Sequence, residues 1–197
     1  LCGARSLYFC VGGPAEVLDG GLLSENRLFE KIGSPDPTIE KLLIRSVGRF
    51  DQIVTMGTSA RKYFLDQNVS ASIDVISGGI DLTGLPEQPI EPCQYDLIFV
   101  GRLVPIKGLN LLLEAIVQAN SMRPGIKLAI VGDGPLRSDL EKTVIDLGLE
   151  SCVDFIGFSE NVDQWLAKAS IFVLASESEG LSLALMEAMA HGLAAIV

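Results

Sequence analysis

The chain has 197 residues, 48% of them apolar, which is enough for one hydrophobic core and part of a second. Its formal net charge of −10 argues against nucleic-acid partners, because surfaces that bind nucleic acid need basic residues to neutralise phosphates. No apolar run reaches the roughly 18 residues of a membrane span, and no signal peptide opens the chain, so we expect a globular protein of the cytoplasm.

The four cysteines lie far apart in the sequence, at positions 2, 10, 93 and 152. They form no Cys-x-x-Cys pair, and the chain has only one histidine that could join them at a metal. We expect reduced thiols, with a disulfide or a zinc site as the alternative.

Residues 1–80 have the pattern of an α/β unit, of which they are expected to form the C-terminal part. Residues 81–95 are predicted to be a linker, because prolines and a glycine interrupt the apolar pattern there. The predicted strands of the first part cover 6–11, 52–56 and 73–76, and its predicted helices cover 38–50 and 59–67.

Residues 96–197 alternate short, continuously apolar runs with helical patterns, which indicates a parallel sheet covered on both faces. Ligands of such doubly wound domains bind at the carboxyl ends of the strands, where Gly101, Gly132, Gly157 and Ser176 fall. The predicted strands are 97–100, 128–131, 153–156, 171–174 and 194–197, and the predicted helices are 108–120, 136–147, 161–169 and 183–191.

Two cations, Arg102 and Lys107, follow the first strand of this second part. A diphosphate leaving group needs positive charge as its bond to carbon breaks, and a metal ion or fixed cations can supply it. The chain has no Asp-x-Asp pair to hold a metal, so the guanidinium fork and the ammonium are the candidates. Solvated loop residues are the alternative interpretation.

The tetrapeptide 132–135, Gly-Asp-Gly-Pro, ends the second strand. Gly132 and Gly134 could allow a ligand close to the backbone. The dinucleotide-binding pattern G-x-G-x-x-G fails, because Arg137 stands where its third glycine belongs. A generic turn is the alternative.

Two glutamates with seven residues between them, Glu179 and Glu187, flank the entry to the helix 183–191. Backbone N–H groups at a helix start suit an anion, and a carboxylate can accept hydrogen bonds from the hydroxyls of a sugar. A nucleotide sugar would match this order of groups. Ordinary exposed glutamates are the alternative, and His191 is expected to cap or pack the end of the helix.

Taken together, four segments resemble the motifs of retaining GT-B glycosyltransferases of the family 4 type. The segments are Gly101-Arg102-x4-Lys107-Gly108, 131–135, Val153-x-Phe155-x-Gly157, and Glu179-Gly180-x6-Glu187-Ala188-Met189-Ala190-x-Gly192. The resemblance implies an α/β fold of GT-B type, with two Rossmann-like lobes built on doubly wound parallel sheets. The chain is expected to be a fragment, with the first lobe (1–80) incomplete and the donor-binding lobe (96–197) truncated at its C-terminus.

The resemblance also implies roles for individual residues. Arg102 and Lys107 would bind the donor diphosphate, Glu179 the transferred sugar, and Glu187 the ribose. Further donor-binding positions are Gly101, Gly132, Gly134, Phe155, Phe158, Gly180, Leu181 and Ser182, with Phe155 and Phe158 beside the base. Leu181 and Ser182 stand where the family often has Phe and Gly, a difference that bears on donor choice.

The implied activity is transfer of a sugar from a nucleotide-diphosphate donor to a lipid-linked or polysaccharide acceptor, with retention, no cofactor and no metal. The acceptor-side lobe could associate peripherally with the inner face of the membrane. A nucleotide-sugar-binding module without transfer activity is the main alternative. A nicotinamide-dependent oxidoreductase is disfavoured by the broken glycine pattern.

Overall fold

The structure is a computed structural model that describes residues 5–10, 37–83, 93–177, 179 and 181–197, apart from the side chains of residues 37–40 and 43. Within these residues the fold is α/β, and each strand pairing is parallel. The strands are β1 Leu7–Cys10, β2 Gln52–Thr55, β3 Ser72–Val75, β4 Tyr95–Val100, β5 Leu128–Val131, β6 Val153–Gly157, β7 Ala169–Val173 and β8 Ala194–Ile196. The helices are α1 Pro37–Val47, α2 Thr58–Asp66, α3 Leu109–Met122, α4 Arg137–Asp146, α5 Asp163–Leu166 and α6 Leu183–Ala190.

The chain divides into two compact units. The first comprises residues 1–78 and the short segment 178–182, and the second comprises 79–177 and 183–197. The first unit contains a three-stranded sheet in the order β1-β2-β3. Its core joins that sheet to the two helices through Cys10, Val47, Ile53, Phe64 and Ile73.

The second unit contains a five-stranded sheet in the order β6-β5-β4-β7-β8. Successive residues of β4 face opposite sides of the sheet, so Ile98 packs in one core cluster and Phe99 in the other. All four residues of β5 are buried, which explains its continuous apolar sequence. The sheet is therefore covered on both faces.

The direction in which strands are added reverses between β4 and β7. From β4 the chain continues outward to β5 and β6, and it then returns to build β7 and β8 on the other side. The crevice at the carboxyl ends of the strands beside such a reversal is the usual ligand site of open α/β sheets. The loops that follow β4 and β7 flank this position, and the loop after β4 carries the two cations singled out in the sequence, Arg102 and Lys107.

The predicted helix 161–169 is wrong in length, because α5 is a single turn. The carbonyl of Lys168 accepts hydrogen bonds from the backbone N–H groups of Gln94 and Tyr95, at 2.8 and 3.0 Å. Those bonds draw the chain into the sheet directly after one helical turn, so β7 begins at Ala169. Trp165 is half-buried and packs against the core.

Two further features concern the residues within the described ranges. None of their helices has the length and apolar character that crossing a membrane requires. Cys10, Cys93 and Cys152 are present as thiols, and Cys10 and Cys152 are buried in the two units' cores.

Candidate functional site

The loop after β4, residues 101–108, is bonded to its neighbours on both sides. The Leu103 N–H donates to the carbonyl of Asp133 at 3.0 Å, and the Leu103 carbonyl accepts from the Leu136 N–H at 3.1 Å. On the other side, the Glu177 N–H donates to the carbonyl of Ile106 at 2.9 Å. The loops after β4, β5 and β7 thus form one hydrogen-bonded layer at the carboxyl edge of the sheet.

Both predicted cations lie on this layer. Arg102 is exposed at the start of the loop, directly after Gly101. Lys107 is half-buried and ends a single 3-10 turn formed by Pro105–Lys107. Because the backbone that carries them is fixed by hydrogen bonds, little order would be lost when an anion binds here. A diphosphate-binding role for the two side chains stays a prediction.

The glycines of this edge accommodate neighbouring backbone. Gly132 has φ +135°, and a Cβ there would overlap the carbonyl oxygen of Gly101. A Cβ on Gly134 would lie 2.5 Å from the carbonyl oxygen of Leu103. The structure therefore gives Gly132 and Gly134 a packing role within the layer. A direct contact of these glycines with a ligand stays a prediction.

A third cation at this edge, Arg137, was considered in the sequence only as a break in a glycine pattern. Its Nε donates to Glu141 Oε1 at 2.9 Å, and its Nη1 lies 3.7 Å from Asp133 Oδ2. A Cβ on Gly157 would lie 3.1 Å from the same Nη1. Arg137 therefore lies beside the end of β6, a neighbour that appears only once the strands are placed side by side, whereas its ion pairs with Asp133 and Glu141 are local contacts four positions away.

The two aromatic side chains after β5 differ in burial. Phe155 lies within β6 and packs against the core, whereas Phe158 follows the strand and is 76% exposed. An exposed ring in a loop offers a face on which a base can stack, so Phe158 is the better candidate of the two. The contact with the base stays a prediction for both.

The loop between β7 and α6 contains the first predicted glutamate. Glu179, Leu181 and Ser182 are half-buried, and Gly180 lies outside the described residues. The segment 178–182 groups with the first unit, although the chain on both sides of it belongs to the second. That Glu179 and the two cations Arg102 and Lys107 bind the same ligand stays a prediction.

Glu187 lies in α6, half-buried, one turn before His191. Burial raises the pKa of the Glu187 carboxyl above its ordinary value, the carboxylate of Asp163 raises it further, and His191 lowers it. A carboxylate whose ionised form is disfavoured by its surroundings is typical of a binding or catalytic site. Ligand hydroxyls that donate to Glu187 would favour that ionised form.

His191 is buried, with 1% of its surface exposed, and its Nε2 lies 2.9 Å from Asp163 Oδ1. Packing at the end of α6 was expected for it, whereas the partner was not. Asp163 lies 28 positions earlier, at the start of α5, and nothing in the local sequence pattern connects the two residues.

The raised pKa of Glu187 leads to a prediction about stability. A raised pKa means that the folded state binds the proton more tightly than the unfolded state, so this contribution is complete below the ordinary value of 4.5. It is lost as the pH rises through the folded-state pKa. Replacing Glu187 by glutamine removes the ionisation, so the variant does not lose this stability. The stability of Glu187→Gln minus that of the parent should therefore increase as the pH rises from acidic to neutral.

Thermal unfolding of parent and variant across that pH range is the measurement. Glu114→Gln, at an exposed position of α3, is the matched control. A relative stability of the Glu187 variant that stays constant with pH, or that falls as the pH rises, would contradict the expected direction.

Among the described residues, no cluster of three or more His, Cys, Asp or Glu side chains could hold a metal ion. The expectation that the reaction needs no metal was made from the missing Asp-x-Asp pair, and it stays a prediction.

With this geometry established, the family can be identified. The profile for "Glycosyl transferases group 1" matches residues 86–197, which is more than half of the chain and includes the loop 101–108 and the helix α6. This chain belongs to the glycosyl transferases group 1 family.

Two curated relatives show the extent of the similarity. The amylovoran biosynthesis glycosyltransferase AmsK of Erwinia amylovora is 29% identical over 202 aligned residues, covering 96% of this chain and 47% of that protein. An uncharacterized glycosyltransferase of Haemophilus influenzae is 32% identical over 158 residues, covering 77% and 44%. This group 1 glycosyltransferase chain therefore spans less than half the length of either relative.

Solved structures support the fold. Anabaena HepE in complex with UDP and glucose matches with a TM-score of 0.70 at 22% identity, covering 81% of this chain and 48% of that one. The crystal structure of TarM matches with a TM-score of 0.71 at 22% identity, covering 83% and 32%. The predicted α/β fold with parallel sheets, as found in GT-B glycosyltransferases, is confirmed.

Proposed function

We propose that this chain binds a nucleotide-diphosphate sugar as part of a retaining glycosyltransferase of the family 4 type that works without a metal. The observation that carries the proposal is the placement of Arg102 and Lys107. Both lie on the loop after β4, at the edge where the strand order reverses, and that loop is bonded to the loops on either side.

The proposed chemistry depends on these cations. When the bond between the anomeric carbon and the diphosphate oxygen breaks, negative charge collects on the departing oxygen. The planar donors of Arg102 and the ammonium of Lys107 would stabilise that charge more strongly in the transition state than in the ground state. In this proposal fixed cations take the part that a divalent metal has in other diphosphate chemistry.

Carboxylates would hold the two sugar rings of the donor. Glu187 would accept hydrogen bonds from the ribose diol, and its raised pKa supports this role, because two donors would favour an otherwise disfavoured anion. Glu179 would accept from hydroxyls of the transferred sugar. The backbone N–H groups of Leu181 and Ser182, just before α6, would add donors for the phosphates.

The acceptor is proposed to be a glycan or a lipid-linked sugar. The names of relatives support this class: one acts in amylovoran biosynthesis, one in lipopolysaccharide core biosynthesis, and one on a diphospho-undecaprenol substrate. An acceptor carried by a lipid would place the enzyme in the cytoplasm at the inner face of the membrane. Its first lobe would then associate with that surface peripherally.

A binding module without transfer activity is the second candidate. The specific observation in its favour is the length of the chain, which covers only 47% of AmsK. Residues that bind an acceptor in the longer relatives need not be present in this chain.

A thermal-shift screen of the 197-residue chain against uridine, guanosine and adenosine diphosphate sugars tests the proposal. A donor present at a hundredfold excess over its Kd should stabilise the folded state by about 2.7 kcal/mol. The screen is run with and without a chelator, and release of nucleoside diphosphate from the donor is measured in parallel.

Each outcome separates the candidates. Stabilisation by one base series, unchanged by chelator, supports the proposed donor site, and release of nucleoside diphosphate supports an enzyme. Binding without any release supports the module. Stabilisation by none of the donors would overturn the proposal, and a strict need for a divalent ion would overturn its metal-independent part.

A further inference from the structure

The loop after β6 and the helix α5 form one hydrogen-bonded segment. The indole Nε1 of Trp165 donates to Ser159 Oγ at 3.2 Å, and that hydroxyl donates to the carbonyl of Asn161 at 2.9 Å. The side-chain oxygen of Asn161 accepts from the backbone N–H of Gln164 at 3.3 Å. This segment, residues 158–166, begins with the exposed ring of Phe158.

A second hydrogen-bonded segment surrounds the end of α6. The His191 N–H donates to the carbonyl of Glu187 at 3.0 Å, and the Leu193 N–H donates to the carbonyl of Ala188 at 3.1 Å. The imidazole of His191 is therefore held one turn after Glu187, and its position depends on that of the helix.

The bond between His191 Nε2 and Asp163 Oδ1 joins the two segments. The imidazole end of this bond is buried, whereas the Asp163 side chain is 62% exposed to water. His191 Nδ1 has no hydrogen-bond partner among the described residues. Asp163 is thus the partner that determines how the ring is held within that part of the chain.

We propose that the Asp163–His191 pair is a positioning device that sets the distance between Phe158 and Glu187, and through it the selectivity for the nucleoside part of the donor. The inference rests on the proposed function, in which Phe158 faces the base and Glu187 binds the ribose. Neither Asp163 nor His191 contacts the reacting atoms. Their effect is exerted through the two segments that they connect.

The electrostatic surroundings agree with this arrangement. Asp163 and His191 act on the pKa of Glu187 in opposite directions, so both lie close enough to affect the carboxylate proposed to bind the ribose. Loss of the pair would therefore disturb the orientation of α6 and the charge beside Glu187 together, while the cations of the loop 101–108 stay in place.

The test compares two ligands of the 197-residue chain: the nucleoside diphosphate that carries the base of the tightest-binding donor sugar in the screen, and inorganic pyrophosphate. Asp163→Ala removes the acceptor of the bond, and with a side chain 62% exposed it can be replaced with little change in packing. The affinity for the nucleoside diphosphate divided by that for pyrophosphate should fall by roughly threefold to tenfold, which corresponds to the net contribution of one hydrogen bond. The affinity for pyrophosphate itself should stay the same. Asp163→Asn retains an acceptor oxygen and should restore most of the ratio.

Two variants calibrate the result. Glu187→Gln alters the ribose contact itself and should lower the same ratio by at least as much. Asp139→Ala removes an exposed aspartate of α4, which lies next to Lys142 and far in the sequence from both segments, and should leave the ratio unchanged.

An unchanged ratio in Asp163→Ala would overturn the inference. So would an equal loss of affinity for both ligands, because a general loss of structure does not distinguish a nucleoside from a phosphate. A parent chain that binds pyrophosphate but no nucleoside diphosphate would overturn the proposed function instead, which keeps the two failures distinct.

Discussion

Replacing Gly108 by alanine is expected to destabilise the protein by about 2 kcal/mol more than replacing Gly148, although both glycines have nearly the same backbone conformation. Their φ angles are +63° and +67°, so alanine suffers the same conformational penalty at either position. A Cβ on Gly148 would meet nothing within 4 Å, whereas one on Gly108 would overlap the carbonyl oxygen of Ala175 and lie 3.0 Å from its carbon.

Urea unfolding of the two variants measures this difference, because the shift in midpoint at constant slope reports the change in free energy. The loss of unfolding free energy in Gly148→Ala measures the cost of the backbone conformation alone. The additional loss in Gly108→Ala measures the cost of forcing the loop after β4 away from the end of β7. Equal losses in the two variants would show that this contact adjusts freely. The Gly108 variant should also bind diphosphate more weakly, since Lys107 is the preceding residue.

Removal of both cations is expected to abolish most of the affinity for diphosphate. A hydrogen bond to a charged group contributes about 1.5–3 kcal/mol, so Arg102→Ala and Lys107→Ala together should weaken nucleoside diphosphate binding by at least about a hundredfold. Calorimetric titration of nucleoside diphosphate is the measurement, and the free nucleoside is titrated as a reference ligand whose affinity should change little.

Lys142→Ala is the matched control, because it removes a lysine from the exposed surface of α4. A loss of the same size in that variant would mean that general surface charge attracts the ligand, and higher salt would then weaken binding in all variants alike. Unchanged diphosphate affinity in the double variant would remove the basis of the proposed donor site.

Much of the second unit could be predicted from the sequence because each of its strands is a local pattern. The residues Leu128–Val131 are continuously apolar. A short apolar run of this kind between turns is typical of a buried strand, so its structure could be predicted from the sequence. The predicted bounds of β5 agree with the structure, and those of β6 differ by one residue. Helix α5 was predicted too long because its end depends on hydrogen bonds to residues 94 and 95, about 70 positions earlier in the chain.

The candidate site was predictable to the extent that its residues lie next to strand ends. Arg102 follows β4 by two residues, and parallel strands bring their carboxyl ends to one edge whatever their order. Asp163 carries no such signal. It meets His191 only because the chain between them forms β7 and α6 and returns, and no short-range pattern encodes that distance.

The amino-acid sequence by itself determined that this chain forms parallel α/β sheets and places Arg102 and Lys107 just after the end of a strand, since hydrophobic periodicity and loop position are local properties. The tertiary structure alone decided what those residues touch. It showed that Gly108 and Gly132 make room for neighbouring backbone, that Arg137 lies beside the end of β6, and that a buried histidine is held by an aspartate from another helix. Each of these contacts joins residues whose separation along the chain is unrelated to their distance in space, so packing had to bring them together first.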